Sequence, residues 1–200
     1  MTSLPRPELK GSLSLEEALT IRRTVRSFTP KALTLSQLSQ LLWAAYGISD
    51  AQQGKKTAPS AGALYPLDIY IVVGEEGVEG LGSGVYHYLP TRHVLEIIAS
   101  GDRRKEVAHA SLWQMWMAEA PVMVTITAEY KRTTVKYRER GVRYVHMEVG
   151  HAGENLFLQC VALGLRAGIV GAFNDDEVAD ALGVPPHHEP LLIIPVGHPR

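Results

Sequence analysis

The chain has 200 residues, of which 46% are hydrophobic and 20% charged, and its formal net charge is −1. This composition predicts one globular domain over residues 1–200 with a substantial core, and the near-zero charge excludes an overall attraction to nucleic acid or to an anionic membrane. No apolar run approaches the ~20 residues that cross a bilayer and the N-terminus lacks the apolar core of a signal peptide, so we expect a cytoplasmic protein with no membrane partner.

Two capping boxes predict the first helices. In Ser14-Leu15-Glu16-Glu17 and Thr34-Leu35-Ser36-Gln37 a hydroxyl and a carboxylate or amide three residues later can satisfy each other's backbone donors. The second helix carries leucines at helical spacing and should end at Gly47.

Branched and aromatic runs predict strands at residues 68–73 and 122–128, a hairpin or edge excursion formed by 86–88 and 94–98, and a closing strand at 191–196. Helical patterns lie between them at 102–118 and 141–163, and Asn174 opens a last short helix. Two short basic runs, 103–105 and 131–132, suggest solvated helix ends. Cys160, the single cysteine, has apolar neighbours and should be buried. The mixed order of elements indicates an α+β fold.

The segment Arg22-Arg23-Thr24-Val25-Arg26 places three guanidiniums within five residues. The rigid donor fork of arginine suits a phosphate or the carbonyl edge of a flavin. On its own, however, the same pattern also fits a solvated helix C-terminus, where cations complement the helix dipole.

Two other segments suit a flat ligand. The loop from Pro59 to Pro66 contains Ser60, Ala61 and Gly62, and such small residues allow a backbone to lie close against a ring. The segment from Gly168 to Phe173 leads from a short apolar strand toward a helix start, where free N–H groups could donate to a ring nitrogen. Either segment alone could be no more than a turn.

These segments, together with Gly84-Val85-Tyr86-His87-Tyr88-Leu89-Pro90 and the stretch from Lys136-Tyr137 to Phe173, resemble the FMN-dependent nitroreductase superfamily. Within it, the chain is similar to the SagB-type dehydrogenases, which are related to azoline oxidases of peptide natural-product pathways. The resemblance covers about residues 15–199. It implies a nitroreductase-like fold with a central, mostly antiparallel sheet flanked by helices, a homodimer with flavin sites at its interface, and FMN as cofactor.

The resemblance also implies roles for residues. Arg22, Arg23 and Thr24 would contact the flavin phosphate, with Arg26 near the pyrimidine edge and Arg200 as a further phosphate contact. A loop from the partner subunit would pack against the flavin ring. The matching residues here are Pro59, Ser60, Ala61 and Gly62. The backbone of Val170, Gly171 and Ala172 would face N5, and Lys136 and Tyr137 are catalytic candidates.

The expected activity is hydride transfer from NAD(P)H through flavin N5 to a small nitroaromatic, quinone or similar acceptor. One alternative is a SagB-type dehydrogenase that oxidises a peptide azoline to an azole, and another is a flavin-binding protein without turnover.

Two further motifs are not assigned a function. Gly80-Leu81-Gly82-Ser83-Gly84 looks like a dinucleotide fingerprint, but a strand rather than a helix follows, so we predict a loop. His146, Glu148 and His151 do not share one helical face, and we predict no metal site there.

Overall fold

The computed structural model describes residues 1–200. The six α-helices are α1 (Leu15–Ile21), α2 (Leu35–Tyr46), α3 (Arg104–Ala110), α4 (Lys131–Tyr137), α5 (Arg140–Ala162) and α6 (Asp175–Leu182). The nine strands are β1 (Thr2–Ser3), β2 (Ile48–Asp50), β3 (Lys55–Lys56), β4 (Leu67–Val73), β5 (Gly84–Leu89), β6 (Val94–Ser100), β7 (Val122–Ala128), β8 (Arg166–Ala167) and β9 (Glu189–Gly197).

Local sequence signals set most helix boundaries. The Ser14 and Thr34 side chains each accept the N–H of the third helical residue, whose own side chain accepts the N–H of the capping residue, so both predicted capping boxes are confirmed. The Asn174 side chain caps α6, as predicted. The long helix α5 and the burial of Cys160 are also as expected.

Seven strands form one sheet in the order β1-β6-β5-β4-β7-β9-β8, and every neighbouring pair is antiparallel. The strands β2 and β3 form a separate two-stranded ribbon. The predicted α+β fold with a mostly antiparallel sheet is therefore confirmed.

Side chains alternate between the two faces of the sheet, and each face is covered by helices. Ile69 and Ile71 of β4 join the larger core cluster with residues of α2 and α5. Tyr70 and Val72 join a smaller cluster with residues of α3 and α6. The central strands are therefore buried on both sides, in accord with their continuous apolar sequences.

The single helix expected over residues 102–118 is wrong. Helix α3 ends at Ala110, and a short 3₁₀ helix follows at Met115–Glu119. Leu112 and Trp113 both have positive φ, +55° and +62°, a conformation that cannot continue a right-handed helix. The Gln114 side chain donates to the carbonyls of Ser111 and Ala172, a contact that periodicity cannot reveal.

The basic runs are also not simply solvated helix ends. They lie at the N-termini of α3 and α4, and α4 itself is not among the sequence-predicted helices. Arg104 pairs with Asp102 at 2.6 Å and donates to the carbonyl of Ala120 at 2.8 Å. Arg132 pairs with Asp68 and with Glu129, each at 2.8 Å.

Residues 80–83 of the glycine-rich motif lie in the loop that leads into β5, in agreement with the loop prediction, and Gly84 begins the strand. None of the helices combines the length and apolar character that crossing a membrane requires.

Candidate functional site

The arginine segment begins where α1 ends. Arg22 is the C-terminal cap of α1, with its Nε 3.6 Å from Glu154 Oε1 and its guanidinium 5.7 Å from the centre of the Phe157 ring. Arg23 is exposed, and its Nη1 donates to the carbonyls of Thr20 and Arg22. Both guanidiniums keep donors that face solvent and could bind an anion.

Backbone pairing brings this segment beside β8. Thr24 forms a parallel bridge with Ala167, and the N–H of Val25 donates to the Ala167 carbonyl at 2.9 Å. A Cβ at Gly168 would lie 2.6 Å from the Trp116 ring and 2.9 Å from the Val25 carbonyl oxygen. Glycine is therefore needed at residue 168 for the close approach of the two segments.

Trp116 joins the arginine segment to the Gly168–Phe173 segment. Its ring stacks on Phe28, with the ring centres 6.5 Å apart, and the guanidinium of Arg26 lies 5.7 Å from its centre. The sequence analysis did not select Trp116, because it predicted one regular helix over residues 102–118 and not the break that sets the position of this ring.

Beyond Gly168, the chain presents two free donors. Val170 exchanges two backbone hydrogen bonds with Ile193, and these bonds hold the middle of the segment against β9. Gly171 and Ala172 are exposed, and no hydrogen bond within the chain uses the backbone N–H of either residue. A Cβ at Gly171 would meet no atom within 4 Å, so the space beside these donors is open.

The C-terminus lies against the arginine segment. Arg200 Nε donates to the Phe28 carbonyl at 2.8 Å, and its Nη2 lies 3.4 Å from Glu119 Oε2. These contacts make the three segments neighbours. We call their candidate residues the arginine group: Arg22, Arg23, Thr24, Arg26, Val170, Gly171, Ala172 and Arg200.

The loop from Pro59 to Gly62 lies with a different set of residues. Gly62 has φ +65°, and a Cβ there would lie 2.8 Å from Tyr137 Oη and 3.0 Å from Lys136 Nζ. The proline-bounded loop and the Lys136–Tyr137 pair at the end of α4 are therefore in contact. We call Pro59, Ser60, Ala61, Gly62, Lys136 and Tyr137 the loop group. No hydrogen bond or ion pair within the chain joins it to the arginine group.

A buried polar network supports the base of this loop. The Tyr46 hydroxyl donates to Glu148 Oε1 at 2.5 Å and accepts the backbone N–H of Leu67 at 3.3 Å. Burial raises the pKa of Glu148, while hydrogen bonds from Ser60 and Tyr46 act in the opposite direction. The Ser60 hydroxyl also accepts the N–H of Tyr65 at 2.9 Å, which closes the loop.

Lys56 belongs to the same region and has no carboxylate within salt-bridge distance. Its Nζ lies 3.7 Å from the centre of the Tyr46 ring and 5.0 Å from that of Tyr65. Burial lowers the pKa of Lys56 to about 8. Sequence analysis missed both residues. Tyr46 has the pattern of a core residue of α2, and Lys56 follows Lys55 in a dipeptide that is typical of an exposed surface.

His146, Glu148 and His151 lie in different surroundings. Glu148 is buried, whereas His146 and His151 are exposed, and His146 bonds the Tyr130 hydroxyl at 2.7 Å.

A sequence model of the nitroreductase family matches residues 19–198. The chain belongs to the nitroreductase family. It is therefore an oxidoreductase, and members of this family use a flavin.

Individual relatives agree with this assignment. A Methanocaldococcus jannaschii protein, MJ1384, provisionally named a nitroreductase, is 47% identical over 185 residues, which are 92% of this chain and 91% of the relative. A provisionally named nitroreductase from Ralstonia eutropha has a similar crystal structure, with a TM-score of 0.84 and 27% identity over all of this chain and 89% of the other.

A third relative belongs to a peptide pathway. The microcin B17-processing protein McbC of Escherichia coli is 27% identical over 155 residues, which are 76% of this chain and 57% of McbC. This similarity agrees with the SagB-like branch that the sequence motifs indicate.

Proposed function

We propose that this nitroreductase-family protein binds FMN and transfers hydride from NAD(P)H, by a ping-pong sequence, to a small nitroaromatic, quinone or similar acceptor. The observation that carries the proposal is the pair of free N–H donors at Gly171 and Ala172, which face open space beside an exposed arginine segment. Bound FMN would supply the hydride-transfer chemistry at its N5 atom.

The residues present fit such a group. Arg22 and Arg23 offer charge-assisted donors to a phosphate, with Thr24 beside them, Arg26 at the pyrimidine edge and Arg200 as a further contact. The N–H groups of Gly171 and Ala172 are fixed dipoles, which favour an electron-rich ring edge without reorganisation. Both donors are held in place because Val170 is bonded to β9.

We also propose that two copies of the chain form each site. The loop group has the small residues that suit a ring wall, yet nothing in one chain bonds it to the arginine group. A two-fold axis would let the loop group of one subunit meet the arginine group of the other and would create two equivalent sites. The exposed face of α5, which includes Met147 and Gly150, could pack across that axis.

A second reaction is favoured by one observation, namely the contact between Lys136, Tyr137 and the loop. Oxidation of an azoline to an azole removes one proton and one hydride, and the hydride would pass to the bound FMN. Lys136 Nζ or Tyr137 Oη would accept the proton. The similarity to the microcin-processing protein McbC supports this alternative.

Anaerobic stopped-flow spectroscopy of the FMN-loaded protein tests both reactions. We expect NADH or NADPH to bleach the oxidised flavin band rapidly, and a quinone or nitroaromatic to restore it. Bleaching by a thiazoline peptide, but by neither nicotinamide, would instead support azoline oxidation. An unchanged spectrum with NADH, NADPH and the thiazoline peptide would contradict both reactions. It would instead support the third alternative, a flavin-binding protein without turnover.

A further inference from the structure

A separate cluster of ionisable side chains lies where β7 ends and β9 begins. Glu129 follows β7, and His187 and His188 occupy the turn before β9. One carboxylate oxygen of Glu129 and one ring nitrogen from each histidine all lie within 4.8 Å of one another. Such a separation allows three atoms to ligate one ion, although the residues are far apart in sequence.

His188 is the buried member of this cluster, with its side chain 7% exposed. Its Nδ1 lies 2.8 Å from the Tyr70 hydroxyl, and its Nε2 lies 3.5 Å from both Arg132 Nη2 and Asp68 Oδ2. When Nδ1 donates to Tyr70, Nε2 keeps a lone pair that is engaged by no contact shorter than 3.5 Å. A metal-binding histidine is commonly oriented in this way, by a hydrogen bond through its other nitrogen.

Glu129 is oriented by a second residue. Its Oε2 accepts the Nε–H of Arg132 at 2.8 Å, while no group in the chain hydrogen-bonds to Oε1. His187 is exposed, and its ring centre lies 4.7 Å from that of His188. One carboxylate oxygen and two imidazoles can therefore converge if the 3.5 Å contact between Arg132 Nη2 and His188 Nε2 is given up.

The charged groups around this cluster are compatible with a bound cation. Arg132 is the one guanidinium in contact with the cluster, and it faces two carboxylates, Glu129 and Asp68. His87 contacts the other Asp68 oxygen at 3.1 Å. With neutral imidazoles, these groups carry a net negative charge.

We propose that Glu129, His187 and His188 bind a divalent transition-metal ion, with Zn²⁺ the best-matched ion. Two imidazoles and one carboxylate form a ligand set that zinc accepts, with water in the fourth position. The ion would tie the corner between β7 and α4 to the turn before β9. Because α4 ends in Lys136 and Tyr137, the site would also hold the base of the helix that carries them.

Equilibrium dialysis of untagged, chelator-treated protein against ZnCl₂ tests the site. We expect one Zn²⁺ per chain, and binding weakened by about tenfold or more in both His187→Ala and Glu129→Gln. His187 is exposed and makes no hydrogen bond, so its variant should fold normally, as circular dichroism can verify. His109→Ala removes an exposed histidine elsewhere and should leave Zn²⁺ binding unchanged.

Cobalt provides an independent measurement, since Co²⁺ in a four-coordinate nitrogen and oxygen site absorbs visible light. The wild-type protein should show this absorption, and His187→Ala should lose it. Absence of stoichiometric Zn²⁺ binding, or equal binding by the wild type and both site variants, would overturn the proposal. Neither result would bear on flavin binding, which is measured separately.

Discussion

Gly171 lies beside two free backbone donors, with open space where its side chain would be. A Cβ there would have no atom of its own chain within 4 Å, so we expect Gly171→Val to fold as the wild type does. If FMN occupies that space, the variant should bind it at least about tenfold more weakly, because the branched side chain would clash with the ring. Fluorescence titration with FMN, together with thermal unfolding of the apoprotein, measures both effects. Unchanged FMN affinity would show that this turn has only a structural role.

Arg22 and Arg23 are the strongest candidates for phosphate binding. Each charge-assisted contact is worth roughly 1.5 to 3 kcal/mol, so the double change to alanine should weaken FMN binding by about two orders of magnitude or more. Arg92→Ala is a matched control, since Arg92 is exposed and forms no ion pair. A double variant that purifies fully loaded with FMN would contradict the assignment.

Lys56 predicts a pH dependence of stability. Its pKa falls from 10.5 to about 8 on folding because the ammonium is buried. Between these two values the unfolded chain binds the proton and the folded chain does not, so stability rises with pH across this window and is lost as pH falls through about 8. Relative to Lys56→Met, the wild type should lose on the order of 3 kcal/mol between pH 10.5 and pH 7.

Urea unfolding of the wild type and Lys56→Met at both pH values gives this difference directly. Lys55→Met is the control, because Lys55 is exposed. The stability of this variant should follow the same pH dependence as that of the wild type. Parallel pH profiles for the wild type and Lys56→Met would mean that the lysine is solvated in the folded protein.

Among the elements, α2 shows how a local signal stabilises a helix on which the core depends. Thr34 Oγ1 accepts the Gln37 N–H at 3.1 Å, and Gln37 Oε1 accepts the Thr34 N–H at 2.9 Å. Thr34→Ala removes one of these bonds and should lower the free energy of unfolding by about 1 kcal/mol. Ser36→Ala, in the exposed first turn, should change it far less. Equal effects in urea titrations would show that the cap contributes little.

The elements that sequence analysis missed depend on contacts from elsewhere in the fold. Helix α3 ends early because Gln114 and Trp116 bind segments that are distant in sequence. Helix α4 begins at the run that contains Arg132, whose charge is paired with Asp68 and Glu129. Local patterns predicted helices where apolar spacing was regular, but they could not show where a tertiary contact would break or begin one.

For the molecule as a whole, the shared-site proposal can be tested by mixing two defective proteins. Gly62→Val should damage the loop group, since a side chain there meets Tyr137 and Lys136. The Arg22→Ala/Arg23→Ala double variant damages the arginine group. If each site takes one group from each subunit, a mixed dimer has one intact site, and random mixing should restore about a quarter of the wild-type sites.

Flavin fluorescence and NAD(P)H oxidation, measured after the two variants are unfolded and refolded together, report this recovery. Each variant refolded alone is the control and should stay defective. No recovery in a mixture that sedimentation shows to be dimeric would place each site within one chain. A flavin-loaded monomer at micromolar concentration would contradict the dimer itself.

By itself, the sequence determined the α+β class, the capped helices, the central strands and membership in the nitroreductase superfamily, because these follow from short-range spacing and from ordered motifs. It also supplied the candidate flavin residues, whose roles remain predictions. Tertiary structure decided how those residues are grouped, since Thr24 pairs with Ala167 and Gly62 lies against Tyr137. It also revealed Lys56 and the cluster of Glu129, His187 and His188. Burial and convergence of distant side chains depend on how the sheet and helices pack, and no local pattern in the chain encodes them.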